Sequence, residues 1–196
     1  MKDNKYKIFA QSDFSGQSKL QVLHELDLSD RELIKTNIDS SSLIMCDFGS
    51  SNLNEGYISR TTIRGCIFKY SSLKAAIITN SLIDEVLLDR ADLRFCLINN
   101  SVVKETYFCE TKLSNCVFNN CHFMNCWFKD LDFTALSMNN VTFIDCRFEK
   151  INVPSVIRQW QMITNKHPDR KFGAKFRDCT GVNLHLKVFG TTVGII

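Results

Sequence analysis

Three cysteines and a histidine, Cys116, Cys121, His122 and Cys126, form the densest group of metal-type ligands in this 196-residue chain. Thiolate and imidazole donors of this kind hold zinc when four of them converge on one point. The cysteines are spaced by five, and neither a helix at 100° per residue nor an alternating strand brings such residues together. Whether they converge therefore depends on what else recurs every five residues. The remaining histidines, His24, His167 and His185, are scattered. No nucleophile beside a base, phosphate-binding glycine loop or paired-carboxylate cleft can be read. The chain reads as non-catalytic, with no cofactor and no metal.

The element that positions the cysteines is a repeat of period five. From Leu33 to Val153 every fifth residue is apolar, through Ile38, Leu43, Phe48, Leu53 and onward to Phe148. With 44% hydrophobic residues overall, a chance run of that length has a probability on the order of one in a billion. Two residues before each comes a second, mostly small series: Thr36, Ser41, Cys46, Ser51, Gly56, Thr61, Cys66 and so on to Cys116, Cys121 and Cys126. If each pentad forms one side of a four-sided coil, both series point inward and the backbone pairs between coils. The cysteines then fill small inward slots on different sides, a packing role that the thiol suits as a small apolar group. Residues 20 apart stack, and like falls on like: Leu33, Leu53, Leu73, Leu93 and Leu113 in one row, Ile38, Ile58, Ile78 and Ile98 in another. Asn99-Asn100, Asn119-Asn120 and Asn139-Asn140, with Asn80 in the same row, mark one corner, where asparagine tolerates turn backbone and its amide can bond along the stack.

The pattern of a small residue, a variable one, Leu or Phe and two more, as in Ala91-Asp92-Leu93-Arg94-Phe95 and Cys46-Asp47-Phe48-Gly49-Ser50, resembles the pentapeptide-repeat family. That resemblance implies an all-β, right-handed quadrilateral β-helix of about six coils and about 30 Å. Residues 1–30 are read as an N-terminal cap, 31–153 as the β-helix, and 154–196 as a C-terminal capping helix and tail. The helix is expected over 155–164, where Val156, Ile157, Trp160 and Ile163 follow the Ser155 cap signal after Pro154. Ala174-Lys175-Phe176-Arg177-Asp178 is one further pentad-like unit.

Bulk properties narrow the setting. No apolar stretch approaches the roughly 18 residues of a membrane span, and the N-terminus is too polar for a signal peptide. A cytoplasmic protein with reduced thiols is expected, since an odd count of nine cysteines does not suit a disulfide framework. Net charge is only +3, with 13 Lys/Arg against 14 Asp/Glu over residues 31–155 and 7 against 2 over 156–196, so direct nucleic-acid binding is not expected.

The slot between the two inward residues faces solvent, and much of it is apolar. One row reads Ile67, Leu87, Tyr107, Trp127; another, taken as its neighbour, reads Tyr57, Ile77, Leu97, Val117. A third side adds Leu82 and Val102, and the fourth is polar throughout. Eight aligned residues are expected to form one patch of about several hundred Å², the size that marks an interaction site. A protein-binding or assembly module follows, with an unidentified protein partner or a homodimer through the strip or the tail. The resemblance implies an alternative. Qnr-type, MfpA-type and microcin-immunity members resemble DNA and bind DNA gyrase or topoisomerase IV, conferring antibiotic or toxin protection. Val188 to Gly194 is similar to their glycine-containing apolar ends, which form the dimer interface. On that reading the working surface is acidic: Asp84, Glu85, Asp89, Glu105 and Glu110.

Overall fold

A pentad that turns its first and third residues inward has to change direction before the next begins, and this requirement sets the backbone. A computed structural model describes residues 21–153, 174–182, 184–188 and 191–195. Within a pentad burial runs buried, half-buried, buried, half-buried, exposed, as from Ser71 to Ala75. The fifth residue sits at the corner in the left-handed region: 25 non-glycine residues, from Glu25 to Asp178, have φ between 47 and 64°, and Gly65 joins them at 62°. This conformation costs an ordinary L-residue about 1–2 kcal/mol. Asparagine and aspartate visit it more readily, and they hold ten of the 25 corners, Asn80, Asn100, Asn120 and Asn140 among them. Most corner amides donate to a carbonyl one coil on, as Glu85 does to Lys104 at 3.1 Å and Asn120 to Asn139 at 2.9 Å. That ladder offsets the local cost.

Four faces result, all built from parallel pairings 20 residues apart. The first is a column of single bridges, Glu32↔Asn52↔Ser72↔Asp92↔Lys112. The second is a six-stranded sheet of Asn37–Asp39, Tyr57–Ser59, Ile77–Thr79, Leu97–Asn99, Val117–Asn119 and Ser137–Asn139. The third is an eight-stranded sheet running from Gln21–His24 through Ser41–Ile44 to Val141–Ile144 and Ala174–Arg177. The fourth begins as bridges through Asp47, Ile67 and Leu87 and becomes strands at Tyr107–Cys109, Trp127–Asp132 and Arg147–Val153.

The inward columns are close to water-free. Phe48 stacks on Phe68 at 4.7 Å between ring centroids, Phe108 on Phe128 at 4.8 Å, Phe128 on Phe148 at 5.0 Å and Phe123 on Phe143 at 4.9 Å. Between Ile58 and Phe108, where the columns are mainly aliphatic, a void of about 20 Å³ remains, about the space of one water molecule and lined only by apolar groups. Buried hydroxyls in the small slot are satisfied locally. Ser51 and Ser71 donate to the Phe48 and Phe68 carbonyls at 2.6 and 2.7 Å, and Ser41, Thr61 and Ser81 to the carbonyl two residues back at 2.8 Å. A residue that is small and able to return a hydrogen bond to its own corner carries no burial penalty there.

The ends differ from the sequence-based expectation. Gln21–His24 already pairs with Ser41–Ile44, and Leu28 is 1% exposed, so the coil reaches back into the segment read as a cap. The helix expected over 155–164 lies outside the described residues, and the helical cap is not supported: the described C-terminal residues are strands. Val141 pairs with Ala174, 33 residues on instead of 20, and Phe176 stacks on Phe143 at 4.9 Å. The pentad at 174–178 thus resumes the third face after 13 extra residues. Leu184–Val188 and Thr191–Ile195 then form an antiparallel hairpin joined to Arg147–Val153 through Asn152↔His185 and Val153↔Leu186. Among the described residues no helix is long and apolar enough to cross a membrane.

Candidate interaction surfaces

The second position of each pentad points outward on every face. Tyr57 (41% exposed), Ile77 (39%), Leu97 and Val117 form one continuous row on the second face, each paired with the next. Ile67, Leu87, Tyr107 (44%) and Trp127 form another on the fourth face, with the Tyr107 and Trp127 rings edge to face at 5.7 Å.

The two rows are not neighbours. They belong to pentads separated by one intervening pentad, and on a four-sided coil such faces lie opposite one another. The single eight-residue patch expected above is therefore two strips. Between them on one side stands the polar first face; on the other stands the third face, where Leu82 and Val102 are half-buried. The corners on that side are polar, Asn80, Asn100 and Asn120 at one and Glu85, Glu105 and Asn125 at the other. The apolar character wraps three sides in bands divided by polar edges.

Other exposed apolar side chains sit at turn positions the outward rows do not include: Tyr70 (58%), Phe95 (60%), Met45 (59%) and Ile34 (49%). Their signal was available, since the last two residues of a pentad form the corner and cannot be buried.

The Asn corner is a ladder. Asn120 Nδ2 donates to Asn100 Oδ1 at 3.0 Å, and Asn140 Nδ2 to Asn120 Oδ1 at 2.9 Å.

The acidic residues are mostly neutralised from the coil before. Arg64 reaches Asp84 at 3.6 Å and Glu85 at 3.3 Å, Lys69 reaches Asp89 at 3.4 Å, and Arg90 grips both oxygens of Glu110 at 2.9 and 3.0 Å. The Arg90 guanidinium holds the Glu110 carboxyl below its ordinary range. Glu105 makes no ion pair among the described residues. Exposed pairs of this kind contribute little stability each, but repeated between coils they cancel the field a continuous acidic surface would project.

The ligand-type cluster does not converge. Cys116, Cys121 and Cys126 point into the core and are at most 1% exposed, whereas His122 is exposed on the third face. Burial pushes the Cys96 thiol up to about 12 and the Cys116 thiol well above its ordinary value. All nine cysteines are free thiols, seven buried, with Cys109 and Cys179 half-buried. A thiol-specific disulfide reagent is thus expected to react in the native state with Cys109 and Cys179 and with the other seven only on unfolding. Rapid native reaction of Cys116, Cys121 or Cys126, read by peptide mass mapping, would show that these slots do not face inward.

Four-residue outward strips on a filled, parallel, four-sided solenoid define a class of protein whose accessible chemistry lies on its faces. A family model for pentapeptide repeats matches residues 87–125 in 8 copies. Residues 87–125 thus match the pentapeptide-repeat family, and the same pentad pattern runs from Leu33 to Val153. No curated protein sequence matches it. Among solved structures, a pentapeptide-repeat protein of the Arabidopsis thaliana thylakoid lumen is similar at 19% identity over 50% of this chain and 68% of that one, with a TM-score of 0.47. Trypsin-treated QnrB1, a plasmid-mediated fluoroquinolone resistance protein, is similar at 14% identity over 84% and 91%, with a TM-score of 0.33. The A-module of the Azotobacter vinelandii mannuronan C-5 epimerase AlgE4 is similar at 9% identity over 86% and 56%, with a TM-score of 0.49. At these scores the likenesses carry nothing about partner or activity.

Proposed function

We propose that this protein is a non-catalytic binding module that presents its solenoid faces to a protein partner. The observation that carries this reading is the pair of outward apolar rows, Ile67/Leu87/Tyr107/Trp127 and Tyr57/Ile77/Leu97/Val117, on a coil whose core is already filled without them. Four rungs at strand spacing span about 15 Å. One strip alone falls short of the roughly 800 Å² per partner of a stable interface, so a partner has to reach beyond it onto the flanking corners. Two strips on opposite faces also allow two partners to be held at once.

The topoisomerase reading draws less support from the same geometry. A DNA-like acidic surface needs uncompensated charge, and Asp84, Glu85, Asp89 and Glu110 are each paired with a cation.

Leu87→Glu and Leu97→Glu, singly and together, test the proposal. Each is expected to keep the β-type circular dichroism and the melting midpoint, because a half-buried outward side chain contributes little to the fold. Complexes captured by the wild type from its source cells and sized by light scattering are expected to be lost in the double variant. Complexes unchanged in that variant would remove the strips as the binding surface. A chain ending at Thr180 run alongside separates self-association through the hairpin from partner binding through the strips.

A further inference from the structure

Along the corner between the third and fourth faces runs a groove of about 390 Å³ lined by Glu85, Leu87, Glu105, Tyr107 and Asn125. Its chemistry has an internal counterpart one corner away. There Arg90 lies over the Tyr70 ring, 5.6 Å from the centroid, donates to the Tyr70 hydroxyl at 2.9 Å and chelates Glu110. Trp127, next in the row after Tyr107, is likewise covered by Arg147 at 4.9 Å and Lys129 at 5.5 Å. Tyr107 is exposed, has Glu105 beside it in the groove, and carries no cation over its ring among the described residues. The aromatic ring and the carboxylate are both in place, and the guanidinium is missing.

From this we infer that the groove receives an arginine side chain of the protein partner. The inference rests on the reading of the fourth-face strip as a binding surface and names the chemistry that the strip's edge selects. Glu85 is already engaged by Arg64 at 3.3 Å, so the charge left to attract a ligand is that of Glu105. A guanidinium paired with Glu105 stacks on Tyr107, as arginine does on aromatic faces, while its apolar stem lies along Leu87. The Asn125 side-chain oxygen adds an acceptor. Arginine suits this site better than lysine, because its planar head pairs with a carboxylate and stacks at the same time.

The test is a titration of the isotope-labelled full chain with N-acetyl-leucyl-arginine amide, followed by NMR. The control ligand is the citrulline isostere, which keeps shape and hydrogen-bonding capacity and lacks the charge. Saturable shifts are expected at Glu105, Tyr107 and Asn125, about tenfold weaker in affinity for citrulline, as expected for loss of a charge-assisted bond. They are expected to fall by a similar factor in Glu105→Gln and to persist in Glu149→Gln, whose carboxylate is paired elsewhere with Lys129 and Arg147. Equal affinity for both ligands, or shifts unaffected by Glu105→Gln, would overturn the arginine site. If that happens while Leu87→Glu still abolishes partner complexes, the groove inference fails and the binding surface stands. If the arginine site holds and the complexes ignore Leu87→Glu, the strip reading fails instead.

Discussion

Phe128→Ala is expected to lower stability by about 4 kcal/mol, in the middle of the range for removing a buried aromatic ring. Phe128 is fully buried and meets five other rings: it stacks on Phe108 and Phe148 and touches Phe123, Phe143 and Phe133 edge-on at 5.7, 5.6 and 6.0 Å. The column is continuous, so alanine leaves a gap that backbone pairing above and below prevents from closing. For a chain of this size the loss corresponds to a fall of about 10 °C in melting midpoint. Phe95→Ala, at a corner and 60% exposed, serves as the matched control and is expected to change the midpoint by no more than about 2 °C. Similar falls for both would refute the assignment of inward and outward rows.

Asn120→Pro is expected to cost at least about 3 kcal/mol, from proline's fixed φ near −65° and its missing N–H. Asn120 has φ 50°, and its amide donates to the Asn139 carbonyl at 2.9 Å; proline can satisfy neither requirement. The side-chain bonds to Asn100 and Asn140 are lost as well. Asn120→Gly separates the contributions, because glycine accepts the left-handed backbone and keeps the N–H. It is expected to lose about 1 kcal/mol, the worth of the side-chain ladder. A proline variant as stable as the glycine variant, by denaturant unfolding, would mean that the corner ladder does not hold the coil. The chain's two prolines, Pro154 and Pro168, both follow in sequence the run of pentads from Leu33 to Val153.

Why the corners matter also explains what could be read in advance. The inward series from Leu33 onward was legible because a pentad has one inward large residue and no freedom to move it, and the same phase extends back to Leu28. The cysteines were legible as packing for the same reason. The ion pairs were open to the same reasoning, since Arg64 with Asp84, Lys69 with Asp89 and Arg90 with Glu110 all fall at the coil spacing of 20. The placement of the two apolar rows required counting sides: rows ten residues apart are opposite, and the row five residues away is the neighbour. The hairpin of Leu184–Val188 and Thr191–Ile195 was not legible by a search for fives, because antiparallel strands alternate with period two. Its sequence, with Leu184, Leu186 and Val188 before Phe189-Gly190, does carry that alternation. The extra 13 residues before Ala174 break the phase and leave no periodic signal to follow.

The groove is not legible in the sequence for a different reason. Glu105 groups there with the acidic residues and Tyr107 with the apolar strip, and only the corner geometry puts a carboxylate and an exposed ring on one groove.

On this solenoid adjacent residues divide the work, one facing the core for folding and the next facing out for binding. Leu87 and Leu88 place that division across a single peptide bond, with Leu87 half-buried in the strip and Leu88 only 6% exposed. The most direct measurement is thermal unfolding and partner capture for Leu87→Glu beside Leu88→Glu. Burying a carboxylate in an apolar column costs several kcal/mol, so Leu88→Glu is expected to lose its cooperative β-type transition. Leu87→Glu is expected to melt with the wild type and to lose the complexes held through the fourth-face strip. A Leu87→Glu protein that unfolds, or one that folds and binds as before, would contradict the account.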